Sequence, residues 1–271
     1  MHMTITRATL LGLLLAVFAP LAWAHSPFAA AADERLPAWL TAGLLLVLWA
    51  CYLRGCVRVW PGAGAVSLFH VGLALGGLAV LGPLDDWAET STSAHMTQHM
   101  VFMVVVPPLF VLSRPLPQLS AGGARRLSAL WNPLLRLTQR PMLTAYVHGF
   151  IVWFWHTPKF YMLAVEHPWW HAVEHLLFIV SAGLFWWAVL RSSRLLVPWA
   201  LLALLFTLMH TGFLGALLTF AREPLYGEAR SLEDQQLAGL IMWVLGAIPY
   251  LLGAGWLGWR WLLTMQRRIG W

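Results

Sequence analysis

The sequence predicts an all-α protein, a polytopic bundle of helices that crosses a membrane several times. Of its 271 residues, 60% are hydrophobic and only 10% are charged, more apolar surface than a soluble domain could bury. Apolar segments close to the ~20 residues needed to cross a bilayer recur along the whole chain. Basic and acidic residues segregate into alternate connections, as expected for loops on opposite faces of a membrane. We therefore predict a single transmembrane domain over residues 25–271, with seven transmembrane helices after an N-terminal signal peptide.

Residues 1–24 have the pattern of a secretory signal peptide. Arg7 precedes an apolar stretch, and Ala22-Trp23-Ala24 fits an A-x-A cleavage site. We expect cleavage after Ala24. A retained first helix is the alternative, and the sequence leaves both open.

Seven apolar spans follow this segment. Prolines such as Pro83, Pro141 and Pro158 stand at span ends, where a missing backbone N–H costs least. Ser231 followed by Asp234 indicates a capping box that opens the last helix. The predicted spans are Ala38–Leu53, Val66–Leu84, His95–Leu112, Met142–Thr157, Trp169–Leu190, Val197–Phe220 and Leu237–Leu263.

Two tryptophan pairs flank the fifth span. Trp169-Trp170 and Trp186-Trp187 would lie ~26 Å apart along a helix, about the thickness of the hydrocarbon layer. This spacing predicts that both pairs are membrane-interface anchors.

The charges also predict the orientation of the chain. Arginines fill the connections after the first, third and fifth spans and the C-terminus, and acidic residues fill the alternate connections. The positive-inside rule then places the N-terminus outside and the C-terminus in the cytoplasm of a bacterial inner membrane. The net charge of +6 is therefore a signal of topology, and no nucleic-acid partner is expected.

The third span begins with two histidines on one helical face. His95 and His99 are four residues apart, and Met96 and Met100 lie on the adjoining stripe. Histidine inside a bilayer is costly and usually marks a functional site. Imidazole suits copper, zinc and iron, whereas thioether suits Cu(I), so the mixed pattern favours copper and Cu(I) in particular. Ordinary core packing is the alternative for the methionines.

The fifth span repeats this pattern. His171 and His175 share a helical face, and His156 ends the fourth span at the same expected outer layer. Glu174 could orient an imidazole, accept a proton or bind the metal, and a plain Glu–His hydrogen bond that fixes helix packing is the alternative. The predicted primary ligands are His95, His99, His171 and His175, with His156 next.

Two further candidates lie on the last two spans. His210 is expected nearer to mid-membrane. It is either a deeper metal ligand or a core histidine whose hydrogen bonds are satisfied. Met242 is expected at a depth comparable with that of His175.

The assembled motifs resemble the multi-spanning CtaG family of cytochrome c oxidase assembly factors. The matching segments, in family order, are HMTQHMVFMVVVPPLFVLSRP, WHTPKFYMLAVEHPWWHAVEHLLF, LGALLTFAREPLY and LEDQQLAGLIMW. The residues that match family motifs are His95, Met96, Gln98, His99, Met100, Trp155, His156, Pro158, Tyr161, His171, Glu174, His175, Asp234, Gln235 and Gln236.

The resemblance implies a role in maturing haem-copper oxidase, by holding or supplying copper. The implied partners are an oxidase subunit, a periplasmic copper chaperone or both, together with the lipid bilayer. Passing an ion by ligand exchange needs no covalent chemistry, so an enzyme is not expected. The residues expected around the metal ligands are Glu174, Gln98, Asp234, Gln235, Gln236 and Met242.

Three other functions stay open. In a b-type cytochrome or quinone oxidoreductase, His99 and His175 would bind haem, which leaves the second histidine of each pair unexplained. A metal transporter needs polar residues through the whole membrane depth, but the inner halves offer only His70 and His148. In a metal-free assembly scaffold, the histidines would bind acidic loops of a partner.

Overall fold

The protein is all-α in the computed structural model, which describes residues 35–227 and 230–269. The predicted signal peptide, residues 1–24, lies outside the described residues. The helices before the central connection are α1 Arg35–Arg58, α2 Ala63–Leu81, α3 Pro83–Thr90 and α4 Thr92–Ser113. The later helices are α5 Leu116–Gly122, α6 Ser128–Leu137, α7 Pro141–Trp155, α8 Pro158–Glu166, α9 Pro168–Leu190 and α10 Val197–Thr219. The last helix, α11, begins as Leu232–Leu240 and ends as Ala247–Ile269.

Six segments among the described residues are long and apolar enough to cross a membrane. They are Arg35–Arg58, Ala63–Leu81, Thr92–Ser113, Pro168–Leu190, Arg194–Thr219 and Leu232–Gln266. The segment expected to be the fourth span, Met142–Thr157, forms the shorter helix α7, which has 15 residues. The protein is thus a multi-pass membrane protein.

Helices α4 and α9 occupy the centre of the bundle. Helix α4 packs against α2, α9 and the first turns of α11, and α9 packs against α4, α7 and α8. Helices α10 and α11 approach so closely that a Cβ at Gly239 would lie 2.6 Å from the Gly215 carbonyl oxygen. A smaller core between α1, α2 and α5 is built around Tyr52 and Phe69. The end of the bundle at which α4, α9 and α11 begin is called the site end below.

Proline explains why α4 and α11 each contain a turn of π-helix. These turns are Val101–Val105 and Ile241–Leu245, and Pro107 and Pro249 follow them within a few residues. A proline has no N–H and its ring crowds the carbonyl four residues earlier, so the regular hydrogen-bond ladder cannot continue unchanged. Such π-turns are frequent at functional sites.

The carbonyl freed by Pro107 is satisfied by another helix. Trp186 Nε1 of α9 donates a hydrogen bond to the Met103 carbonyl oxygen at 2.9 Å. The prediction that Trp186 is an interface anchor is therefore wrong, because its side chain is only 2% exposed. Trp169 and Trp170, at the other end of α9, are about half exposed. The indole N–H thus joins the two central helices where no water can replace it.

Replacing Trp186 by Phe removes this donor and leaves the Met103 carbonyl unpartnered. We expect a loss of about 1–3 kcal/mol, the usual cost of an unsatisfied buried polar group. The measurement is the apparent melting temperature of the purified protein in detergent. Trp187→Phe is the matched control, since Trp187 is only partly buried. Equal melting temperatures for the two variants would show that the bond does not stabilise the bundle.

Candidate metal centre

A carboxylate from the last helix caps the start of α4. Ser91 is the N-cap and its hydroxyl accepts a hydrogen bond from Ala94 N at 3.1 Å. Asp234 of α11 accepts hydrogen bonds from Ser91 Oγ at 3.1 Å, from Thr92 N at 2.5 Å, and from the backbone and hydroxyl of Ser93. A negative charge at a helix N-terminus also interacts favourably with the helix dipole. The first turn of α4, which positions His95, is thereby fixed to α11.

Four imidazoles of α4 and α9 meet just below this capped end. The ring centroids are 4.3 Å apart for His95 and His99, and 4.1 Å apart for His171 and His175. Between the helices, the centroids of His95 and His171 are 5.0 Å apart and those of His99 and His175 are 6.1 Å apart. Each pair shares a helical face because residues i and i+4 do so, and the packing of α4 against α9 turns the two faces toward each other.

Glu174 places a carboxylate inside this group. Its Oε2 lies 3.3 Å from His95 Nε2 and 3.4 Å from His99 Nε2, and its side chain is fully buried. Its Oε1 has no hydrogen-bond partner. An ionised carboxylate in an apolar interior is stable only beside positive charge or strong donors. Either imidazole N–H donors or a bound cation would stabilise this carboxylate.

His156 joins the group from the end of α7. Its Nδ1 lies 2.7 Å from the Val152 carbonyl oxygen, which can only accept, so Nδ1 carries the proton. In the neutral ring, Nε2 is then left with a lone pair, the form in which histidine binds metals. That Nε2 is buried and has no partner, and the ring centroid lies 5.4 Å from that of His99.

The buried ring nitrogens are the strongest indication of a metal. Several of them have no hydrogen-bond partner: His95 Nδ1, both nitrogens of His99, and Nε2 of His156, His171 and His175. Buried polar atoms are nearly always paired, and exceptions need an explanation. One ligand atom from each of His95, His99, Glu174 and His175 lies within 4.8 Å of the other three, so this buried group could hold a metal ion.

The sequence reasoning missed one residue of this region, Asp85. Asp85, His171 and His175 form a second group whose ligand atoms lie within 4.8 Å of one another. Asp85 stands in the first turn of α3, in the connection before α4. The available signal was an acidic residue ten positions before His95 in an acidic connection, but only the fold brings it to α9.

Arg230 and two tyrosines cover the cluster at the site end. The Tyr161 ring lies 5.0 Å from that of His95 and stacks on Tyr226 at 3.7 Å. Arg230 donates to Tyr161 Oη at 3.1 Å and to Thr92 Oγ1 at 3.3 Å. Burial raises the pKa of the Tyr161 and Tyr226 phenols, so both stay neutral at physiological pH. A fixed cation and neutral rings thus cover His95 at this end of the bundle.

The family model for the cytochrome c oxidase caa3 assembly factor (Caa3_CtaG) matches residues 44–264. The chain belongs to this family. The match includes α4, α9 and every residue of the cluster, which confirms the resemblance drawn from the sequence.

One curated relative has only a general name. The chain is 27% identical over 248 residues to an uncharacterized protein of Mycobacterium leprae (strain TN), which covers 79% of this chain. The chain spans only 37% of the length of that relative. No solved structure matches the chain.

The remaining expected ligands of this Caa3_CtaG member have contacts outside the imidazole cluster. Met96, Met100 and Met242 belong to the main hydrophobic core, and a Cβ at Gly246 of α11 would lie 2.9 Å from Met100 Sδ. His210 lies against α7, where a Cβ at Gly149 would come within 2.9 Å of its Nε2. His156 follows the last residue of α7 and is seven residues after Gly149, so His210 is about two helical turns deeper than the cluster.

The four polar residues expected around the ligands have different contacts. Gln98 Nε2 donates to Asp85 Oδ1 at 2.5 Å and to the Ala79 carbonyl oxygen at 2.7 Å. Gln235 accepts from Leu225 N and Gln236 donates to the Ala221 carbonyl, so both hold the connection between α10 and α11. Asp234 is the cross-helix cap described above. Of the four, Gln98 is the one that touches a member of a candidate metal group.

Replacing Asp234 by Ala removes the shared cap of α4. We expect a loss of about 1–3 kcal/mol, because the donors at Ser91, Thr92 and Ser93 lose a charged acceptor. The apparent melting temperature in detergent measures this loss. The control is Glu233→Ala, which removes an adjacent, exposed carboxylate of the same turn. If both variants melt alike, the inter-helix cap is not a stabilising contact.

Proposed function

We propose that this protein binds a copper ion in the cluster of His95, His99, His171, His175 and Glu174, with His156 beside it, and helps deliver the ion to haem-copper oxidase. The observation that supports this most is the set of buried imidazole nitrogens that have no partner. A metal ion would satisfy several of them at once and would balance the charge of Glu174.

Copper is favoured by the family and by the donor chemistry together. Membership in a family of cytochrome c oxidase assembly factors points to a metal that this oxidase requires. Imidazole donors suit copper, and a carboxylate is compatible with it. The preference for Cu(I) rests on Met96 and Met100. Because both methionines belong to the hydrophobic core and the Met100 sulfur lies beside Gly246, that preference now depends on the imidazoles.

We further propose that α7 is a seventh membrane span. Its 15 residues give a length of ~22 Å, and the helix packs between α9 and α10, which are both long enough to span. Seven spans and the arginine distribution then put the N-terminus outside and the C-terminus in the cytoplasm of a bacterial inner membrane. In this topology the site end faces the periplasm.

Delivery from this site would require only the exchange of ligands. The copper ion would leave one set of imidazoles for another on an oxidase subunit or a periplasmic copper chaperone, and no covalent bond would form. We therefore propose a metal-binding assembly factor and not an enzyme. A membrane location with the site end outward would let such a partner reach the ion without crossing the bilayer.

The direct test is the double variant His95→Ala/His99→Ala, purified from membranes of copper-supplemented cells. We expect bound copper to fall by at least about tenfold, since loss of even the residues that support metal ligands typically lowers metal affinity by about 10- to 100-fold. Oxidase activity of the host membranes should fall with it. His167→Ala is the control, because His167 is exposed and belongs to neither candidate metal group.

Metal content and the absorption spectrum of the unaltered protein decide between this proposal and its alternatives. Normal copper in the double variant would refute the assignment. A Soret band would favour a b-type cytochrome, and a protein without metal that still supports oxidase assembly would favour a scaffold.

A further inference from the structure

The geometry points to two successive stations for a single metal ion, and we propose that Asp85, His171 and His175 form the outer one. This inference rests on the proposed metal-binding function and adds the route by which the ion enters. The inner station is the group of His95, His99, Glu174 and His175. In both groups the ligand atoms lie within 4.8 Å of one another, and His175 belongs to both.

The two stations differ in their exposure. His95, His99 and Glu174 are between 0% and 1% exposed. Asp85 and His171 are only partly buried, and His175 lies between the two sets at 8%. An ion that arrives from water would therefore meet Asp85 and His171 first and would lose its water in steps.

The outer station has its own positioning contact. Gln98 Nε2 donates to Asp85 Oδ1 at 2.5 Å and is itself fixed by the Ala79 carbonyl oxygen of α2. Gln98 precedes His99 on α4, so the side chain that holds Asp85 belongs to the helix that supplies the inner ligands. This contact fixes one carboxylate oxygen of Asp85 and so keeps that carboxylate next to His171 and His175.

Buried ring nitrogens without a hydrogen-bond partner occur in both stations. Nε2 of His171 and Nε2 of His175 are buried without a hydrogen-bond partner, as are His95 Nδ1 and both nitrogens of His99. The His171 and His175 rings lie 4.1 Å apart, and the His171 ring lies 5.0 Å from that of His95.

Because His175 belongs to both stations, the ion can pass from one to the other without losing all of its ligands. While His175 stays bonded, the bonds to Asp85 and His171 break as those to His95, His99 and Glu174 form. The oxidation state of the ion does not change, so no electron has to move. A proton held between Glu174 and the imidazoles of the empty inner station is released to water as the ion binds. One carboxylate in each station supplies similar charge, so the ion is never left uncompensated in an apolar interior.

The test is the kinetics of Cu(I) binding to the full chain in lipid nanodiscs under anaerobic conditions, with Asp85→Asn as the variant. The asparagine retains an oxygen for the Gln98 hydrogen bond but loses the charge. We expect the rates of loading and of release to a chelator to fall equally, each by about tenfold, which corresponds to about 1.4 kcal/mol of barrier. The affinity at equilibrium stays unchanged, because a station on the route alters both rates alike.

Asp86→Asn, which removes the neighbouring exposed carboxylate, is the matched control and should load at the normal rate. If Asp85→Asn does not fold, as judged by its melting temperature, Gln98→Met provides the same comparison, because it removes the donor that orients Asp85 and changes no proposed ligand. Normal rates in the folded variant would overturn the outer station while leaving the proposed function intact. A weaker affinity caused by faster release alone would make Asp85 a ligand of the final site and would also overturn the two-station route. A protein that binds no Cu(I) at all would refute the proposed function itself.

Discussion

The structure depends on keeping one carboxylate and five imidazoles inside an apolar helix bundle. In a membrane, each unsatisfied polar group costs several kcal/mol, yet Glu174 is fully buried and most of the surrounding ring nitrogens have no partner. Packing alone gives no reason to collect these side chains at one point. A bound cation would neutralise the Glu174 carboxylate and coordinate the lone pairs of the imidazole rings. The residues whose burial costs free energy in the empty protein are therefore the residues proposed to bind copper.

The surrounding helices hold this group by polar contacts as well as by packing. Asp234 caps α4 just above His95, and Trp186 joins α9 to the α4 carbonyl that Pro107 leaves free. Arg230 closes the site end through Tyr161 and Thr92. These three contacts connect α4 with α9, α8 and the start of α11, so the positions of the imidazoles follow from the backbone of four helices.

Helical periodicity explains what could be predicted. Residues four apart share a face, so each histidine pair was evident from the sequence, and so was the depth that the pairs have in common. The pairing of α4 with α9 was not evident, because it depends on side chains distributed over both helices. Asp85 was missed since it lies in a short helix of a connection and far from His171 in sequence. Trp186 was misread because its partner is a backbone carbonyl, which leaves no trace in the sequence.

The most direct test of the account is the copper X-ray absorption spectrum of the loaded protein in lipid. The account predicts a first shell of nitrogen and oxygen donors at about 2.0 Å, the distance typical of imidazole ligands, with the outer-shell scattering of several imidazole rings. A first shell dominated by sulfur at about 2.3 Å, or one without imidazole scattering, would contradict it.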